Sequence, residues 1–203
     1  MMWLPIIVGL VAIQRLTELV IAQHNTKRLI AMGGYEVGER HYPLFILLHA
    51  SWLLALLIGA PWRREPNWQL IGVFVILQML RIWVIATLGP YWTTRIITLK
   101  DAPLVRDGPY RFVRHPNYWI VTAEIAVLPL AFGAWSVALV WSILNALLLR
   151  HRIGVEERAL VTRDRRGAHA ELQNFRARGI HARNANNTTA QPQELITQEK
   201  NER

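Results

Sequence analysis

The sequence contains no cysteine, which excludes disulfides, thiolate nucleophiles and cysteine-based metal centres. It has no GxGxxG turn and no HExxH pair. Its histidines, His24, His41, His49, His115, His151, His169 and His181, stand at no metal-ligand spacing, so no metal site is expected. Acidic residues are few, 14 Asp and Glu against 23 Lys and Arg, leaving a net charge of +9. That excess suits anionic lipid as well as nucleic acid. No folded nucleic-acid reader is visible, and no nucleic-acid partner is expected.

Long apolar runs dominate instead. Met2–Ala22, Pro43–Ala60 and Trp68–Leu88 each have the roughly twenty residues needed to cross a bilayer. The first has neither a basic n-region nor a small-residue cleavage site, so it reads as a retained membrane helix. Two shorter runs follow, Trp119–Phe132 and Trp135–Leu149, hinged at Gly133-Ala134. At 1.5 Å per residue these arms reach only ~20–23 Å, short of a ~30 Å hydrocarbon core, and Pro129 bends the first. The predicted fold is all-α and polytopic, about five transmembrane helices ending in a short helical hairpin.

Basic residues set the expected orientation. Lys27, Arg28 and Arg40 precede the second span, and Arg95, Lys100, Arg106, Arg111 and Arg114 precede the hairpin. With eleven more after Leu149, nineteen Lys and Arg lie on one side, while only Arg63 and Arg64 lie on the other. The N-terminus is therefore expected outside and the C-terminus in the cytosol. Trp62, Trp68 and Trp135, with Tyr42, Tyr91, Trp92 and Trp119 opposite, form the two aromatic belts. One membrane-embedded domain is expected over residues 1–180, its hairpin and site within 90–165. Residues 181–203 are polar, lack a periodic apolar face and read as a disordered tail. The oligomeric state is not legible.

Two charged clusters bracket the hairpin. Gly108-Pro109-Tyr110-Arg111-Phe112-Val113-Arg114-His115-Pro116-Asn117-Tyr118 precedes it, and Arg150-His151-Arg152-Ile153-Gly154-Val155-Glu156-Glu157 follows it. A hairpin returns its ends to one place, so the clusters are expected to meet. Pro116 suits a first helical position, and the free amides of a helix start bind anions. Tyr118 offers a ring face to a cation or a base. Arg152 and Glu156, four apart, share a helix face. A juxtamembrane cluster that anchors the loop to headgroups has the same composition, and the residues alone leave both readings open.

Polar residues also lie within the spans: Arg15 and Glu18, Gln78 and Arg81, Glu124 and Asn145. Such groups face a bundle interior or a cavity. Interhelical contacts, a substrate path in an enzyme, and a non-enzymatic membrane scaffold or small transporter are all consistent with them.

At these residues the chain resembles the isoprenylcysteine carboxyl methyltransferase family, polytopic enzymes that use S-adenosylmethionine without a Rossmann domain. The likeness covers roughly residues 80–162. It rests on Gly108-Pro109-Tyr110, Arg114-His115-Pro116-Asn117-Tyr118, and Arg152 followed by Glu156-Glu157 and Leu160. Gln14-Arg15-Leu16-Thr17-Glu18-Leu19, Asn25, Gly33-Gly34-Tyr35-Glu36-Val37-Gly38, His41-Tyr42-Pro43 and His49 resemble a bacterial branch. That branch includes O-methyltransferases acting on long-chain alkylpyrones made by type III polyketide synthases.

The resemblance implies a bacterial inner-membrane enzyme with a cytosolic site and a lipophilic acceptor drawn from the bilayer. It places S-adenosylmethionine against Leu104, Val105, Tyr110, His115, Pro116, Asn117, Tyr118 and Glu156. It gives Arg152 the role of engaging the acceptor. Read from chemistry alone, Glu157, Glu124 or His115 is placed to take a proton from a less acidic phenol, Glu157 being the catalytic candidate beside Arg152, and Glu124 and Asn145 join Arg152 toward the acceptor. Where eukaryotic members carry a histidine at the start of the Leu104 segment, this chain has Ala102.

Overall fold

The computed structural model describes residues 2–39, 42–62, 64–99, 105–156 and 158, all within one compact unit, Met1–Ala159. The helices are α1 (Trp3–Ala31), α2 (Tyr42–Gly59), α3 (Trp68–Leu88) and α4 (Pro116–Ala131), followed by α5 (Trp135–Glu156). All except α4 are long and apolar enough to cross a membrane. Their outer faces carry rows of exposed aliphatic side chains, such as Leu10, Ile13 and Val20 on α1 and Leu139, Ile143 and Leu147 on α5. Apolar surface on that scale is stable against lipid, not water. The chain is an all-α polytopic integral membrane protein.

The core is correspondingly thin. Leu4, Val8 and Val11 of α1 meet Trp52 and Leu56 of α2 and Ile125 and Leu128 of α4, and Trp52 and Leu128 are fully buried. Helix ends follow local chemistry. Asn67 caps α3 by accepting from the Gln69 and Leu70 amides at 3.1 and 3.2 Å. Between α4 and α5, Gly133 adopts φ +71°, the left-handed turn residue that ends a helix without a Cβ clash. Ala134 N then donates to Pro129 O at 2.9 Å, and Asn67 N donates to Ala131 O at 2.8 Å. The first bond closes the hairpin turn, and the second ties its tip to the α2–α3 loop.

Two features extend the sequence reading. α1 does not stop with its apolar run at Ala22. Its 29 residues rise about 44 Å, beyond a bilayer core, because Asn25, Thr26 and Leu29 continue a buried face. Second, a small antiparallel sheet pairs β1 (Tyr35–Val37) with β2 (Ile96–Thr98), Glu36 opposite Ile97. It joins the segment after α1 to the segment after α3.

Candidate active site

The hairpin brings its two brackets together. α4 begins at Pro116, which has no amide hydrogen, and His115 before it makes no side-chain cap bond. Tyr118 N donates to His115 O at 3.1 Å, and the remaining amides of this first turn suit an anion. On the next residues Tyr118 faces α5 and donates its hydroxyl to Glu156 Oε2 at 2.6 Å. The same hydroxyl accepts from Arg152 Nε at 2.8 Å. The His115 ring stacks on Tyr118 at 5.1 Å with 12° between planes, and His115 Nδ1 lies 3.9 Å from Glu156 Oε2. A carboxylate at the edge of two stacked aromatic rings suits an organic cation or vicinal hydroxyls, and the helix start beside it suits a carboxylate.

A second wall comes from elements that hydropathy did not connect to the site. Arg152 Nη2 donates to the Thr94 carbonyl at 2.9 Å. Its guanidinium lies 5.1 Å from the Phe45 ring centre and 5.8 Å from that of Tyr118. Phe45 sits one turn into α2, and Thr94 acts through its backbone, a group that no side-chain motif reports. The only signal available was His41-Tyr42-Pro43, which marks this corner of the chain.

Tyr110 reaches the region from a 3₁₀ turn, Gly108–Arg111, closed by Tyr110 N donating to Asp107 O at 3.1 Å. Burial pushes its phenol up to about 12, with the nearby Glu156 charge adding to the shift. Gly108 has φ +54°, and a Cβ there would stand 2.7 Å from Thr87 Oγ1, so the turn is packed hard against α3. Val105 is half-buried in the same connecting segment. Leu104 and Glu157 lie outside the described residues.

Below Tyr118 a polar ladder descends between α4 and α5. Thr122 Oγ1 donates to Tyr118 O at 2.8 Å, and Asn145 Nδ2 donates to Thr122 Oγ1 at 3.2 Å. Asn145 is fully buried.

Glu124 faces elsewhere. It accepts from Arg15 Nη2 at 2.6 Å, Gln78 Nε2 at 2.9 Å and Arg81 Nη1 at 3.3 Å. Glu18 accepts from Arg81 Nε and Nη2, both at 2.6 Å, and from Arg15 Nη1 at 3.0 Å. Two arginines and two glutamates thus form a neutral clamp across α1, α3 and α4. Each charge is paired and hydrogen-bonded, the condition under which ions persist away from water. Among the described residues the clamp touches the site where Arg81 Nη1 donates to Asn117 Oδ1 at 3.4 Å.

On the α3 side of α4 lies an apolar groove of about 300 Å³, lined by Leu80, Trp83, Val84, Pro109, Pro116 and Trp119 among others. Pro116 therefore contributes to the packing of the helix start, while Asn117 and Tyr118 turn toward the clamp and the hairpin.

Residues 70–162 match the Isoprenylcysteine carboxyl methyltransferase (ICMT) family. The chain is similar to "Uncharacterized protein YpbQ" of Bacillus subtilis (strain 168), with 34% identity over 164 residues, 79% of this chain and 96% of the relative. It is also similar to an "Uncharacterized protein" of Haemophilus influenzae, with 30% identity over 151 residues, 72% of this chain and 88% of the relative. No solved structure matches at a comparable level. The family match begins in α3 and includes Tyr110, Tyr118, Arg152 and Glu156.

Proposed function

Because this chain belongs to the isoprenylcysteine carboxyl methyltransferase family, whose members are membrane methyltransferases, we propose that it moves a methyl group from S-adenosylmethionine to an oxygen of a lipophilic acceptor. One observation carries the reading beyond the family. Arg152, Tyr118 and Glu156, from opposite arms of the hairpin, are joined through one hydroxyl.

The residues present fit the cofactor by chemistry. The uncapped start of α4 suits the carboxylate of the methionine moiety. Tyr118, His115 and Glu156 suit a sulfonium or a ribose. Asn117, Pro116, Tyr110 and Val105 complete the surround from the helix start and connecting segment, and the family resemblance adds Leu104, which lies outside the described residues. When bound, S-adenosylmethionine supplies an electrophilic methyl on a positively charged sulfur.

The chain's own residues then have distinct roles. Arg152 holds an anionic or polarised acceptor oxygen, which suits a planar guanidinium. Rate comes mainly from holding the reacting groups near and aligned. An enolate or carboxylate is already a nucleophile and requires no base. For a less acidic phenol, His115 or Glu157 takes the proton. Asn145 and Thr122 offer polar contacts deeper along the acceptor's path. Glu124, held by two arginines and a glutamine, maintains the bundle that shapes it.

The basic-residue asymmetry supports an inner-membrane orientation with the N-terminus outside and the site facing the cytosol. A long-chain alkylpyrone is the favoured acceptor, since the N-terminal motifs resemble enzymes that methylate one. The test is transfer of labelled methyl from S-adenosylmethionine by purified protein in liposomes, with alkylpyrone, alkylresorcinol and prenylcysteine acceptors. Labelled alkylpyrone supports the proposal. Labelling of prenylcysteine alone overturns the acceptor, and labelling of none overturns the activity.

A further inference from the structure

The segment between α1 and α2 reaches across to hold the loop that carries Thr94. β1 pairs with β2, Tyr35 opposite Thr98 and Val37 opposite Ile96. Within that strap Glu36 Oε2 accepts from Arg95 Nη1 at 2.7 Å. The Arg95 guanidinium lies 4.4 Å from the Tyr42 ring centre, and the Tyr42 hydroxyl is 3.1 Å from Thr94 Oγ1. The loop is held from the other side by Asn25 of α1, whose Nδ2 donates to the carbonyls of Gly89 and Trp92 at 3.1 and 2.9 Å. Thr93 Oγ1 closes the loop on itself by donating to Arg95 O at 2.6 Å.

Fixed in this way, Thr94 presents its carbonyl to Arg152 Nη2. Nε of the same guanidinium is committed to Tyr118. Among the described residues nothing accepts from Nη1. A guanidinium is planar and rigid, so fixing two of its nitrogens fixes where the third donates. The strap thereby sets the direction in which Arg152 offers its remaining donors. Its charge also suits an acidic ligand. Glu36 is neutralised by Arg95, so this strap carboxylate does not repel an acidic group held by Arg152.

We propose that the β1–β2 strap, with Tyr42 and Thr94, is the acceptor-selecting element, aiming Arg152 Nη1 at the anionic oxygen head of an alkyl acceptor. This rests on the methyltransferase reading above. Tyr42 and Thr94 are positioning residues, acting through Arg152. That role explains why residues far from the hairpin in sequence are built around one backbone carbonyl.

Tyr42→Phe and Thr94→Val each delete the bond between these two side chains while keeping the ring under Arg95 and the Thr94 carbonyl. Methyl transfer to 6-pentadecyl-4-hydroxy-2-pyrone and 5-pentadecylresorcinol is measured for each variant and for the double variant. Each single change raises the acceptor KM about ten-fold, S-adenosylmethionine affinity stays within about two-fold, and the double variant is no worse than either single. The Arg152 Nε–H NMR signal, assigned by its loss in Arg152→Lys, is protected from exchange in the wild type and exposed in both variants. An unchanged KM, a parallel loss of S-adenosylmethionine affinity, or additive losses overturn the proposal. If the wild type binds no S-adenosylmethionine, the methyltransferase reading fails on its own. The Nε–H signal then judges the strap, and undiminished protection in Tyr42→Phe overturns it.

Discussion

Tyr118 and Glu156, 38 residues apart in the chain, share a 2.6 Å hydrogen bond across the hairpin. The bond exists because α4 starts at Pro116 and α5 runs on past the apolar core to Glu156, so the two arms meet beyond the membrane-facing surface. A hydroxyl that accepts from Arg152 and donates to Glu156 leaves both charges oriented without neutralising either by direct contact.

Tyr118→Phe tests that bridge. The ring still stacks on His115, but Arg152 and Glu156 lose their shared partner. A hydrogen bond to a charged group contributes about 1.5–3 kcal/mol, so kcat/KM for the acceptor falls roughly 10–150-fold, read by labelled methyl transfer. Activity within two-fold of the wild type contradicts the role given to the hydroxyl.

Arg81→Met tests the clamp. It leaves Glu18 with one arginine partner in place of two and removes one from Glu124 as well. Breaking a buried pair by removing one member costs about 3–5 kcal/mol, which unfolding in detergent micelles reads directly. Arg152→Met, at the half-buried site, lowers stability far less while removing turnover. Equal stability losses in the two variants contradict the separation of clamp from site.

The hairpin and its brackets were legible because local punctuation marks them: Pro116 opens one arm, Gly133 turns the chain, and Arg152 and Glu156 stand one helical step apart. The individual charges of the clamp were visible too. Their pairing was not, since it depends on how α1, α3 and α4 rotate about their axes. The strap was invisible for another reason. Tyr35–Val37 and Ile96–Thr98 are too short to show strand alternation, and they pair across two intervening helices. Thr94 contributes a carbonyl, which every residue possesses. The α1 extension was missed because polar Gln23, His24 and Asn25 end the hydropathy run, although Asn25, Thr26 and Leu29 keep one buried face.

Gly108→Ala tests the turn that carries Tyr110. The left-handed φ and the approach of Thr87 both oppose a Cβ, and such strain costs about 1–3 kcal/mol. Displacement of Tyr110 weakens S-adenosylmethionine binding by roughly ten-fold, measured calorimetrically. Unchanged affinity contradicts the placement of this turn at the cofactor.

Alkaline titration tests the burial of Tyr110. Its phenol is held up at about 12 against an ordinary value of 10.0, so the folded state retains a proton that the unfolded chain releases first. The stability this contributes is complete below pH 10 and is lost as pH rises through about 12. Phenolate absorbance, compared between the wild type and Tyr110→Phe, assigns the step. A Tyr110 transition near 10 contradicts its burial beside Glu156.

If the two brackets of the hairpin form one S-adenosylmethionine site, the cofactor must bind through both. Equilibrium binding of S-adenosylmethionine to the purified protein in nanodiscs measures this without any choice of acceptor. One saturable site per chain is predicted, weakened at least about ten-fold by Glu156→Ala and by His115→Ala, residues on opposite brackets, and left unchanged by Glu36→Gln. Absence of saturable binding by the wild type, or binding indifferent to both bracket substitutions, contradicts it.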